Sequence, residues 1–299
     1  MHQSYLTTLL LVGLPSALAH SVICNAFVDS VDQGDGQNKY IRSPPNTDPI
    51  KDIALPELNC NVNGATAAPS FISANAGDSL TFEWRRITRG DDIIDPSHSG
   101  PIITYITPFV QGQPSGGVWT KIHEEGFDSS TKKWAVDKLI AQRGKWDFTL
   151  PAELKAGQYV IRQEIIALHE ANVRFDENPQ RGAQFYPQCV QVEVGGSGTR
   201  EPDQGFNLNT GYTVTDPGIF FDMYTNFDSY PIPGPPVWDG ASTTSTGSTQ
   251  AGNSSAATAV AGRSVSTPVG PDDEKPQPII VPVPSTFATS RRVPRPTPK

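Results

Sequence analysis

"QYVIRQEIIAL" (residues 158–168) and "FYPQCVQVEV" (185–194) are dense in β-branched and aromatic residues, the composition of strands rather than helices. Four further runs share it: "SVICNAFV" (21–28), "SLTFEWRR" (79–86), "PIITYITPFV" (101–110) and "KWDFTL" (145–150). Gly, Pro and Asn punctuate the intervals. Only "KKWAVDKLIAQRG" (132–144) reads as a helical turn, ended by Gly144. The chain has no glycine-rich phosphate loop, no βαβ rhythm and no internal repeat. The expected fold is therefore all-β: an immunoglobulin-like antiparallel β-sandwich with long loops and short helical turns, its chemistry on loops at one edge.

The ends of the chain read differently. Residues 6–14, "LTTLLLVGL", have the length of a signal-peptide core and are too short to span a bilayer, and Ala17-Leu18-Ala19 is a small-residue cleavage site. Residues 1–19 are thus expected to be a signal peptide, and the protein to be secreted with His20 first. From about Asp239 the sequence turns to Ser, Thr, Gly and Pro, as in "GASTTSTGSTQAGNSSAATAVAG". Such a segment buries too little apolar surface to offset chain entropy, so 239–299 is expected to be a disordered tail. That leaves 20–238 as the folded domain.

Charge narrows the partners. The net charge is −8, yet past residue 240 six basic residues face three acidic ones, so the remainder carries −11. An acidic domain is a poor match for nucleic acid or an anionic membrane. Three cysteines in an oxidising compartment imply one disulfide and one leftover thiol. Parity does not say which two pair, although Cys24, inside an apolar run, suits a buried small hydrophobe.

Histidine carries the chemistry. An N-terminal His20 would offer a metal two donors, its α-amine and Nδ1 of its own ring, which close a six-membered chelate. The α-amine loses its proton just below pH 8, so a metal displaces it at modest cost, and nitrogen donors suit Cu(II). A further ligand must come from elsewhere. His98 sits in "DPSHSGPIITY", a turn entering a strand and stiffened by Pro96 and Gly100. His123, among alternating apolar and charged residues, reads as a strand-surface histidine. In a strand i and i+2 share a face, so Gln184 and Tyr186 project together, with Phe185 and Cys189 opposite. His169 lies on the loop just before them.

Five stretches together resemble one family: "FVDSVDQGDGQNKYIRSPPNTDPIKDIALPELNCNVNG", "DPSHSGPIITYI", "WAVDKLIAQRGKWDFTLPAELKAGQYVIRQEIIALH", "GAQFYPQCVQVEV", and "TDPGI" with "YPIPGP". In order, they are similar to the fungal lytic polysaccharide monooxygenases that attack cellulose, auxiliary activity family nine. The resemblance implies a histidine brace holding one copper ion (Cu2+/Cu+) through His20 and His98, with Tyr186 axial. It implies that His169 and Gln184 hydrogen-bond to oxygen species at the open site, and that Cys60 pairs with Cys189. The implied reaction is oxidative cleavage of β-1,4-glucan by hydroxylation at C1, C4 or both. Its implied partners are a cellulose or related β-glucan surface, a small-molecule or protein electron donor, and O2 or H2O2, with neither nucleic acid nor membrane; a monomer is expected. Tyr230, and less strongly Tyr212, are expected to stack on the sugar. Two departures stand out: Ser21 follows His20 where many relatives carry an aromatic, and the tail is expected to carry no carbohydrate-binding module.

Two rival readings set the alternatives. A β-sandwich glycoside hydrolase would need a carboxylate pair; Glu164, Glu170 and Asp222 are available, yet no spacing singles out two of them, and hydrolysis needs no N-terminal histidine. A non-catalytic copper- or polysaccharide-binding protein would not need Gln184 and His169 beside Tyr186.

Overall fold

A computed structural model describes residues 20–240. The signal peptide expected over 1–19 and the tail expected over 239–299, its first two residues apart, lie outside the described residues. In chain order the elements are β1 (Val22–Val28), β2 (Val31–Asp35), α1 (Glu57–Cys60), β3 (Ile72–Asn75), β4 (Ser79–Arg85), β5 (Ile102–Pro108), β6 (Thr120–Glu125), β7 (Phe127–Asp128), β8 (Lys133–Trp134), α2 (Ala135–Ala141), β9 (Lys145–Thr149), β10 (Gly157–Ala167), β11 (Gln184–Gly195) and α3 (Leu208–Gly211). All six predicted runs are strands, with ends within two residues of the expected ones. The expected helical turn is α2, and Gly144 closes it at φ +82°, where an added Cβ would lie 2.4 Å from the Trp84 carbonyl. Unpredicted strands such as β2 ("VDQGD") and β6 ("TKIHEE") carry few β-branched residues and owe their conformation to pairing with β1 and β5.

Two sheets form an immunoglobulin-like sandwich. One runs β2-β1-β4-β9, the other β3-β11-β10-β5-β6, and β7 pairs with β8 in a small ribbon. Neighbours are antiparallel except β3, which lies parallel to β11. β10 and β11 pair from Gly157↔Val194 to Ala167↔Gln184. Alternation then sorts their side chains. Ile161, Ile165, Tyr186 and Val190 point between the sheets toward Phe82, Trp84 and Trp146. Val160, Ile166, Phe185 and Cys189 point the other way, under a cover of Leu58, Trp119, Trp134 and Leu208.

Burial on both faces forces the charged residues of β10 into pairs. Arg162 and Glu164, both fully buried, meet at 2.7 Å. Arg162 also donates to the carbonyls of Leu58 and Asn59, each at 2.8 Å, and Glu164 accepts the Tyr212 hydroxyl at 2.7 Å. Cys60–Cys189 is a disulfide, which ties α1 to the same face. Cys24 is free and buried, donating to the Glu83 carbonyl; burial pushes its thiol up to about 12. It sits at a β-bulge between Ile23 and Asn25, which lets Ile23 and Ala26, three residues apart, face the same core. Among the described residues no helix is long and apolar enough to cross a membrane.

Candidate metal centre

The start of β1, the start of β5, the end of β10 and the start of β11 bring their flanking residues to one end of the sandwich. His20 leads into β1, and the hydroxyl of Ser21 donates to the Arg85 carbonyl. His98 hangs from a turn closed by two bonds to Asp95, from Ser97 N to its carboxylate and from His98 N to its carbonyl. Two residues on, Gly100 runs so close to β10 that an added Cβ would lie 1.8 Å from the Ile166 carbonyl. Only glycine fits there, and the close approach seats the His98 ring 4.2 Å from that of His169. Tyr186, on β11, completes a near-equilateral triangle of rings. Centroids stand 6.2 Å apart for His20–His98, 5.8 Å for His20–Tyr186 and 5.9 Å for His98–Tyr186.

A hydrogen-bonded row flanks the triangle. The Tyr186 hydroxyl donates to Gln184 Oε1 at 2.6 Å; Gln184 Nε2 donates to Glu170 Oε2 at 2.9 Å and stands 3.3 Å from His169 Nε2. Lys51 Nζ meets the same Glu170 oxygen at 2.8 Å. The Nδ1 atoms of His98 and His20 stand 3.2 Å from Ser97 Oγ and 3.6 Å from Asp48 respectively.

Burial sets the protonation. It depresses the His20 and His169 imidazoles and takes His98 down to about 4, with the neighbouring His169 and His20 adding to the effect. All three are therefore neutral near pH 7, with ring lone pairs available to a metal. Burial drives the Tyr186 phenol well upward, so it stays protonated. Against the upward push of burial, Lys51 and Gln184 hold the Glu170 carboxyl below its usual range.

Among the described residues no three His, Cys, Asp or Glu side chains converge on a metal position. Two imidazoles, with the α-amine that cleavage before His20 would free, would make a three-nitrogen set without a third side chain, and such a set fits copper. His169 Nδ1, buried and without a partner, is a polar atom that folding alone leaves unused.

The structure thus brings His20, His98, His169, Gln184 and Tyr186 together. It does not bring Tyr230 and Tyr212 to the surface, and the expectation that they stack on sugar is corrected. Tyr230 is buried edge-on against Trp134 and Phe221, its hydroxyl bonded to the Gly218 carbonyl. Tyr212 is buried too, its hydroxyl held by Glu164 and Tyr105. Both fill the apolar layer over the second face of the five-stranded sheet, where their hydroxyls find internal partners. His123 turns inward from β6 onto Trp146 and Phe148 instead of lying on the strand surface. An exposed aromatic beside the cluster is Tyr224, 67% exposed, whose hydroxyl donates to the His169 carbonyl at 3.0 Å. Nothing in "FDMYTNF" marked it, because a loop tyrosine has no periodicity to read. Lys51 and Asp48 gave no signal either, since their partners are distant in sequence. Of the candidate hydrolase carboxylates, Glu164 is sealed inside the protein.

Comparison with known proteins bears on this arrangement. The sequence model of Auxiliary Activity family 9 (formerly GH61) matches residues 20–230. A protein of Collariella virescens described as AA9 family lytic polysaccharide monooxygenase A is 64% identical over 234 residues, which cover 77% of this chain and 85% of the relative. The solved structure of CvAA9A superposes with a TM-score of 0.73 at 64% identity, over 75% of this chain and all of that one. A cellulose-active polysaccharide monooxygenase from M. thermophila superposes at 0.60 with 30% identity, over 74% of this chain and 99% of the other.

Proposed function

Since the chain belongs to auxiliary activity family 9 and is an oxidoreductase, a lytic polysaccharide monooxygenase, we propose that it is secreted, that its substrate is β-1,4-glucan, cellulose foremost, and that it cuts the chain by hydroxylation at C1, C4 or both. One observation carries this reading: His20, His98 and Tyr186 form a triangle of rings 5.8–6.2 Å apart with His169 and Gln184 at its flank. The cellulose-active relative supports the choice of substrate.

Copper, when bound, would supply one-electron redox chemistry toward O2 or H2O2, with the electron coming from an external donor. His20 would hold the ion through Nδ1 and the α-amine that removal of residues 1–19 frees. His98 would use Nε2, its Nδ1–H donating to Ser97. Because both imidazoles are already neutral, neither has a proton to shed on binding. Tyr186 closes one side of the site as a phenol whose proton is committed to Gln184. The Gln184 amide N–H faces His169 Nε2 at 3.3 Å, where the ring nitrogen accepts because an amide nitrogen cannot, and the pair would form a polar edge able to hold a proton beside the site. Tyr224 presents its ring to the surface beside that edge, placed to stack on a glucose unit.

The test is mass spectrometry of soluble products from amorphous cellulose, given copper, ascorbate and protein that begins at His20. A control carries one extra residue before His20. Aldonic acids or C4-ketoaldoses from the first sample alone are expected. Equal, unoxidised oligosaccharides from both would indicate a hydrolase, and stoichiometric copper without products a binding protein; either would overturn the proposal.

A further inference from the structure

The Gln184 amide has a donor end and an acceptor end, so what it does depends on which way it faces. Oε1 accepts from Tyr186 and Nε2 donates to Glu170. A flipped amide would set Oε1 against a carboxylate oxygen, acceptor against acceptor, so the orientation lasts only while Glu170 stays in place. Glu170 lies on the loop after β10, with its side chain 29% exposed. A carboxylate that exposed gains little from one neutral amide and would otherwise turn to water.

What keeps it in place is Lys51, 2.8 Å away on the same oxygen. Lys51 is itself well anchored. Ile50 exchanges both backbone hydrogen bonds with Phe185 at 2.8 Å, one residue from Gln184. The Lys51 ammonium also donates to the Gln180 carbonyl at 2.9 Å, so it ties two stretches of the 170–183 loop to the segment beside β11. An ammonium, with three donors on one atom, can serve both partners at once.

We propose that Lys51 is a positioning residue: through Glu170 it holds Gln184 with its amide nitrogen toward His169 and its oxygen toward Tyr186. The inference deepens the monooxygenase reading, since it is in that reaction that the donor end of Gln184 acts. Loss of the ammonium should free Glu170, let the amide turn over and offer an acceptor where a donor is needed. The Lys51 ammonium hydrogen-bonds to Glu170 and to the Gln180 carbonyl rather than to His20, His98 or Tyr186.

The test compares Lys51→Met, which keeps the stem without the charge, with Lys51→Arg, which can still bond Glu170. Three quantities are read on protein beginning at His20. They are the Gln184 side-chain amide signals by 15N NMR without copper, copper affinity by calorimetry, and oxidised products with copper and ascorbate. In K51M the amide signals should move and exchange faster with solvent, product yield should fall roughly ten- to a hundredfold, and copper affinity should hold, because the Lys51 ammonium bonds to Glu170 and the Gln180 carbonyl and not to His20, His98 or Tyr186. K51R should recover both signals and yield. Unchanged amide signals in K51M, a yield loss matched by loss of folded protein, or an Arg variant as impaired as the Met variant would each overturn the proposal. Should the wild-type protein itself release no oxidised sugar, the monooxygenase reading fails, while the copper-free amide signals still decide whether Lys51 orients Gln184.

Discussion

Glu164→Gln removes one charge from a pair that water does not reach. Both side chains of the Arg162–Glu164 pair have 0% exposure and meet at 2.7 Å. The substitution keeps the shape, and an amide oxygen can still accept from Tyr212. Its NH2 group, however, then faces the guanidinium, donor against donor, and the cation is left buried without its counter-ion. Among the described residues the carbonyls of Leu58 and Asn59 remain as its other acceptors, and Arg162 Nη1 already lacks a partner. Breaking a buried pair by removing one member costs about 3–5 kcal/mol. For a domain of this size 1 kcal/mol moves the midpoint by about 2–4 °C, so the melting temperature should drop by about 6–20 °C. Calorimetry and guanidinium denaturation should agree, with an unchanged m-value. The double variant R162M/E164M should lose less than the sum of the two single variants, because neither charge is then stranded. A loss below about 1 kcal/mol in E164Q would refute the reasoning, since that is the cost of a pair still in contact with water.

Other outcomes follow from the same contacts. Tyr230→Phe and Tyr212→Phe should each lower stability by about 1–2 kcal/mol through a lost buried hydrogen bond, with cellulose binding unchanged in a pull-down assay. Tyr224→Ala should do the reverse, weakening cellulose binding roughly five- to tenfold at constant melting temperature. Replacing Cys60 and Cys189 by Ser opens a link between residues 129 apart and should cost up to about 5 kcal/mol in chain entropy, read as a shift of the denaturation midpoint. Cys24, its thiol raised from 9.0 to about 12 chiefly by burial, should ignore thiol reagents at pH 8 until the protein unfolds. Its folded-state pKa is the higher one, so its contribution is whole below about pH 9 and is lost as the pH climbs to about 12.

Strand positions were legible because β10 and β11 are long and rich in Val, Ile, Tyr and Phe, and pairing only reinforced that preference. Their faces were legible as well: Gln184 and Tyr186 share one side as a period of two requires, and their bond at 2.6 Å follows. The flanks of the site were not. Tyr212, Tyr224 and Tyr230 all lie in the long segment after β11, and chemically they are one residue type. What separates them is whether a neighbour covers the ring. Trp134 and Phe221 cover Tyr230, Glu164 and Tyr105 hold Tyr212, and the Tyr224 hydroxyl meets a carbonyl while its ring stays exposed. Such cover comes from elements remote in sequence, and no local pattern encodes it. The same holds for Lys51: a lysine in a polar loop reads as solvated until Glu170, 119 residues away, takes its ammonium. Local sequence specified the donors of the site, whereas their orientation and the exposure of the Tyr224 ring depended on contacts between distant loops.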